Sequence, residues 1–119
     1  RYVNHSFHPN SMLTPWEFDI AIRDIAAGEQ ITGDYGMLNI IEPFEPFPED
    51  GAKRSVVLPD DLANHHEDWD RLLAEAFPDI PGVDQPLKAV LSRQTWEQTQ
   101  RVCAGEQSLP SLRHSFCGP

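Results

Sequence analysis

The stretch "EPFEPFPEDG", Glu42 to Gly51, carries prolines at 43, 46 and 48. A proline has no main-chain N–H and a fixed φ, so this run admits neither a helix interior nor a central strand. It reads as a hinge-like extended surface loop over residues 42–58, and it divides the chain. Residues 1–41 and residues 59–119 have to find their structure on either side of it, and they carry different hydrophobic periods.

The front part has a period of two. Phe18, Ile20 and Ile22 alternate with Asp19, Ala21 and Arg23, the pattern of a half-buried strand. Met12 to Thr14 is predicted as a preceding short strand, with a turn near Pro15. "AAGEQ" at 26–30 reads as a turn with positive φ at Gly28, followed by a short returning strand at Ile31 and Thr32. The back part is helical. Pro59 and the Asp60–Asp61 pair mark a helix start. Leu62, Trp69, Leu72, Leu73, Ala76 and Phe77 share one face, and Pro78 ends the helix. A second helical stretch is predicted from about Pro86 to Ala104, with a break near Ser92. Leu87, Val90, Leu91, Trp96 and Val102 would form its apolar side, and Gly105 its stop. The last dozen residues are expected to be loosely ordered. The fold class is α+β.

Nine Lys and Arg face 19 Asp and Glu, a net charge of −10. Such a chain is expected to repel nucleic acid and anionic membranes and to suit a basic protein partner. No apolar run approaches the roughly 20 residues of a membrane span. Two cysteines, Cys103 and Cys117, make no disulfide framework, and a reducing, cytoplasmic setting is expected. His65, His66, Cys103, His114 and Cys117 fit no ordinary zinc spacing, except for a lone His-x-x-Cys at His114 and Cys117, and read as a solvated helix face plus a terminus. Glu67, Asp68 and Asp70 read as the wet side of an amphipathic helix, with a docking surface for a basic substrate tail as the sharper alternative. Trp16, Trp69 and Trp96 read as core.

The chemistry sits in two blocks, "RYVNHSFHPN" at 1–10 and "GEQITGDYG" at 28–36. Alone, Asn4 or Asn10 reads as a turn residue satisfying main-chain groups. Together, with a hairpin between them, the blocks resemble the C-terminal half of a SET domain, the fold of protein lysine methyltransferases. The family's first block is matched by Arg1, Asn4, His5, Ser6, Pro9 and Asn10. Its second is matched by Gly28, Glu29, Ile31, Thr32, Asp34, Tyr35 and Gly36. The resemblance covers about 40 residues, and it implies a mainly β SET-type segment at 1–41 with a knot-like crossing, followed by a helical extension of a type familiar from bacteria.

It further implies S-adenosylmethionine as cofactor and a lysine-bearing protein as substrate. Asn4 would contact the cofactor's amino-acid end, His5 its adenine mainly through the main chain, and Tyr35 would be the catalytic-site tyrosine. The departures are specific. Phe7 stands where the family often has Cys. Phe44 and Arg54 frame a zinc-binding tail of the family, but Pro46, Pro48 and Lys53 stand where its thiolates would be, so residues 42–58 are expected to bind no metal. Phe44 or Phe47 would still supply an apolar wall to the lysine channel. The family's N-terminal half, with its Gly-x-Gly turn, is not seen, and the chain is expected to be the distal part of a longer protein. Two other readings stand beside the enzyme: a catalytically inactive SET-like interaction module, and an unrelated acidic helical binding protein.

Overall fold

The structure is a computed structural model that describes residues 3–117; Arg1 of the first block lies outside them. Four short strands come first: β1 (Asn4–His5), β2 (Ser11–Leu13), β3 (Asp19–Ala21) and β4 (Thr32–Gly33). Two helices follow, α1 (Asp61–Ala76) and α2 (Arg93–Cys103). Short 3-10 turns lie at Tyr35–Met37, Phe77–Gly82, Lys88–Val90 and Leu112–Ser115.

β2 and β3 form the antiparallel hairpin, with Met12 opposite Ile20 and Leu13 opposite Asp19. The alternation is as read: Phe18, Ile20 and Ile22 turn inward, while Asp19, Ala21 and Arg23 stay exposed. The hairpin strand begins one residue earlier than predicted because Thr14 closes the turn. Its Oγ1 donates to the Phe18 carbonyl at 2.6 Å and accepts from the Trp16 N–H at 3.3 Å. β4 does not return along the hairpin. It pairs in parallel with β1, Asn4 beside Thr32 and His5 beside Gly33.

Asn10 explains this pairing. Its side chain is buried, accepts from the Thr32 N–H at 2.9 Å and donates to the Gln30 carbonyl at 2.8 Å. One amide thus satisfies two main-chain groups on the far block, which is the role read for it. Gly28 takes φ +85° as expected. Glu29 folds back to accept from the Ala26 N–H, and that bond, with Arg23 and Asn10, pulls its carboxyl down to about 2.

The helices close over the hairpin. Met12, Met37, Leu62, Trp69, Leu73, Phe77, Ile80 and Leu112 make the core, each contributing on the order of 1.5–3 kcal/mol by leaving water. Phe77 lies 6.1 Å from the Trp16 ring and 6.2 Å from Phe18. α1 ends at Ala76, and Pro78 is accommodated in the 3-10 turn that follows. Leu72, assigned to the apolar face, remains exposed.

α2 begins at Arg93, not near Pro86. Ser92 caps it, its Oγ accepting from the Thr95 N–H at 3.1 Å with extended backbone at ψ 152°. Leu87 and Val90 therefore lie off the helix and are 72% and 78% exposed. Gly105 ends α2 region with φ +77°. The C-terminal stretch is docked, contrary to expectation. Asp70 of α1 accepts from Ser111 Oγ and from the Leu112 N–H at 2.8 Å, and Leu112 is buried. Asp70 is thus a tether for the tail and not part of a wet face. Asn39 adds a second tether, donating to the Ser115 carbonyl at 2.8 Å and accepting from the Cys117 N–H at 3.1 Å. Among the described residues no helix is long and apolar enough to cross a membrane.

Candidate functional site

The parallel β1–β4 pair places the two blocks side by side. Ser6 N–H donates to the Gly33 carbonyl at 2.9 Å and prolongs the ladder. Main-chain groups alternate in direction along a strand, so the N–H and C=O of His5 point to the other, open edge. The Asn4 side chain is exposed and has no hydrogen bond among the described residues. A free amide next to a free main-chain donor and acceptor suits a ligand with an amino-acid end and an adenine, so these two residues fit the cofactor implied by the resemblance.

Tyr35 follows β4 at the start of a 3-10 turn. Asp34 starts that turn, its Oδ1 accepting from the Gly36 N–H at 2.9 Å. The Tyr35 hydroxyl donates to the Val3 carbonyl at 2.8 Å. Its N–H donates to His5 Nδ1 at 3.0 Å. His5 therefore carries its proton on Nε2. That atom is buried without a partner among the described residues. Phe7, Tyr35 and Phe44 ring it at centroid distances of 4.4, 5.2 and 5.9 Å. Burial holds the His5 pKa below its ordinary 6.5, against the pull of Asp34. The imidazole is a structural prop for the Tyr35 turn, while the open main chain of the same residue faces outward.

The tail segment closes the back of the site. Phe44 pairs with Val57 as an antiparallel bridge, which puts its ring 5.7 Å from Tyr35. Of the two phenylalanines, Phe44 packs against Tyr35, and Phe47 is 93% exposed. Glu49 latches the loop onto the first block, accepting from Ser6 Oγ at 2.7 Å and from the Phe7 N–H at 2.6 Å. Arg54 reaches Asp34 with one terminal nitrogen and Asp61 of α1 with the other. Its guanidinium lies 4.7 Å from the Phe7 ring centre and 5.6 Å from that of Trp69. The Asp34 and Asp61 side chains are 1% and 3% exposed.

This ion triad was not read from the sequence. Arg54 stood out only as the frame of a lost zinc tail, and Asp61 only as a helix start. The glycine of Asp34-Tyr35-Gly36 is the signal that points to it. A Cβ on Gly36 would lie 2.8 Å from an Arg54 terminal nitrogen and 3.0 Å from the Asp61 Cβ. Only glycine leaves room for the triad.

In front of Tyr35 lies a cleft of about 260 Å³, lined by Val3, Leu13, Asp19, Asp34, Met37 and Leu38 among others. Among the described residues no group of three or more His, Cys, Asp or Glu is placed to hold a metal ion. Cys103 lies under Phe77, donating to its carbonyl, and burial pushes its thiol up. His65 and His66 sit beside Asp61 and Asp70 on α1.

No curated protein and no solved structure matches the chain. Residues 1–36, the stretch that holds Asn4, His5 and Tyr35, match the family model of the SET domain, and this match supports placing that segment in the SET-domain family.

Proposed function

We propose that this chain is the C-terminal part of a SET domain, with a helical extension, in an S-adenosylmethionine-dependent protein lysine N-methyltransferase. The observation that carries the reading is the parallel pairing of Asn4–His5 with Thr32–Gly33. It sets the free Asn4 amide and the open His5 main chain beside Tyr35. The knot-like crossing of the family belongs to this reading, as do the strands and glycine turn of an N-terminal half that would complete the cofactor site.

S-adenosylmethionine, when bound, supplies a methyl group on a cationic sulfur. Asn4 and His5 would hold and orient it. A lysine attacks only as the neutral amine, although its ordinary pKa is about 10.4. Its route to the site is the cleft before Tyr35, where Val3, Leu13 and Leu38 would strip water from the amine. The Tyr35 phenol would act as a fixed dipole that aligns the amine. The Val3 carbonyl fixes the hydroxyl's rotation.

The same bond favours the second reading, a non-catalytic interaction module, because it occupies the hydroxyl proton. One experiment separates them. Full-length protein is incubated with methyl-tritiated cofactor and short lysine peptides. Label recovered as N-methyl-lysine, lost on Asn4→Ala at low cofactor concentration, is the expected result. Folded full-length protein that neither binds the cofactor nor transfers label contradicts the enzyme and leaves the module.

A further inference from the structure

Glu49 opens a tight turn. Its carbonyl accepts from the Ala52 N–H at 3.3 Å, and Gly51 takes φ +77° with open space around it. The positive φ is what glycine supplies in such a turn. The turn aims one carboxylate at the first block, more than forty residues away in the chain. Both oxygens are used there. Oε2 accepts from Ser6 Oγ at 2.7 Å and Oε1 from the Phe7 N–H at 2.6 Å. Ser6 Oγ in turn accepts from the His8 N–H at 2.9 Å. Burial works against the charge, but the Phe7 N–H and the Ser6 hydroxyl outweigh it and hold the Glu49 carboxyl below its ordinary 4.5. The bonds are therefore charge-assisted at neutral pH.

Peptide planarity carries this contact to the open edge of β1. The N–H and C=O of the His5–Ser6 peptide point in opposite directions. Its N–H is held by the Gly33 carbonyl at 2.9 Å, which aims the His5 C=O away from β4. The next peptide is held at the Phe7 N–H by Glu49. Both planes flanking the buried Ser6 are thus pinned, one by the second block and one by the loop. Glu42 and Glu45 of the same loop are exposed and make no hydrogen bond among the described residues. Arg54, the loop's other charged anchor, goes to Asp34 and Asp61. The loop therefore clasps the two blocks through separate charges, the Asn4–His5 strand through Glu49 and the Tyr35 turn through Arg54.

We propose that Glu49 is a positioning residue for S-adenosylmethionine, acting through Ser6 and Phe7 to hold the main chain of His5 and the Asn4 beside it in binding geometry. This assignment rests on the function proposed above. The cofactor edge is then coupled to the closure of residues 42–58, although Glu49 itself touches no substrate.

The test compares full-length wild type with Glu49→Ala, Glu49→Gln and Glu45→Ala, by cofactor calorimetry, steady-state methyl transfer and proteolysis. Glu49→Ala is expected to weaken cofactor binding about three- to thirtyfold. Its kcat at saturating cofactor should fall by less than about twofold, the signature of lost binding and not of lost transition-state contact. Glu49→Gln keeps one acceptor and should lie between, and Glu45→Ala should match wild type. A lysine-specific protease cutting after the exposed Lys53 reads loop closure without any methyl transfer. Because coupling is reciprocal, saturating cofactor should slow that cut in wild type and not in Glu49→Ala. If Glu49→Ala fails to fold, Glu49→Gln decides. A folded Glu49 variant with wild-type cofactor affinity overturns the proposal, and so does an equal loss in Glu45→Ala, which would reduce the effect to net charge. Wild-type protein that binds no cofactor overturns the proposed function and this assignment with it; wild-type protein that binds while folded Glu49→Ala binds equally well overturns this assignment alone.

Discussion

Arg54→Ala is the perturbation to which the site should be most sensitive without any contact to substrate. The guanidinium bridges Asp34, which starts the Tyr35 turn, and Asp61, which starts α1. Both carboxylate side chains are almost wholly buried, while that of Arg54 is 20% exposed. Removing one partner of a buried pair costs about 3–5 kcal/mol, because the remaining charge is left uncompensated. Two carboxylates are stranded here, but each keeps a main-chain donor, Gly36 N–H for Asp34 and Leu58 N–H for Asp61. The partly exposed cation also lets water reach them. We therefore expect about 2–4 kcal/mol of destabilisation, near the low end of that range. The lost contacts to Phe7 and Trp69 act in the same direction. Urea denaturation of the full-length protein, followed by tryptophan fluorescence, measures it. Restoring neutrality with Asp34→Asn and Asp61→Asn should recover part of the loss. A loss below about 1 kcal/mol, the scale of an exposed pair, would refute the view that the triad joins the Tyr35 turn to the helical extension.

Two further outcomes follow from the same geometry. Gly36→Ala places a methyl group against Arg54 and the Asp61 Cβ, at 2.8 and 3.0 Å before relaxation. It should cost about 1–3 kcal/mol, and urea denaturation alongside Gly28→Ala separates this steric cost from that of a positive-φ glycine in open space. His5 is buried neutral with its pKa lowered from 6.5. A base with a depressed folded pKa contributes stability that is full above its unfolded pKa and lost as pH falls through the folded one. Wild-type stability should thus fall on acidification below about 6.5, and His5→Phe should flatten that part of the urea-midpoint profile; an unchanged slope would contradict the assignment.

Local patterns were legible in the sequence. The alternation at 18–23, the glycine turn at Gly28, the α1 face through Leu62, Trp69, Leu73 and Phe77, and the paired blocks all depend on residues close in the chain or on a resemblance. What escaped depends on partners far apart. Glu49 reaches Ser6 and Phe7 across more than forty residues, and Asp70 does the same for Ser111 and Leu112. An acidic residue on a helix looks the same whether it faces water or ties down a tail. The parallel pairing of β4 with β1 was equally hidden, since two-residue strands carry no period. The start of α2 was misplaced because Leu87 and Val90 keep the apolar spacing of a helix while Ser92 caps the real one.

The central claim is that Tyr35 acts on the methyl-accepting amine while Asn4 holds the cofactor, and one paired measurement tests it. Steady-state methyl transfer to a lysine peptide and cofactor affinity by calorimetry are compared for full-length Tyr35→Phe and Asn4→Ala. Tyr35→Phe loses the hydroxyl dipole and its bond to the Val3 carbonyl. Its kcat is expected to fall about ten- to a thousandfold, the range for one well-placed electrostatic group, with cofactor affinity nearly unchanged. Asn4→Ala is expected to weaken cofactor binding and to recover most of its rate at saturation. A folded Tyr35→Phe protein that turns over normally with saturating cofactor would contradict the account.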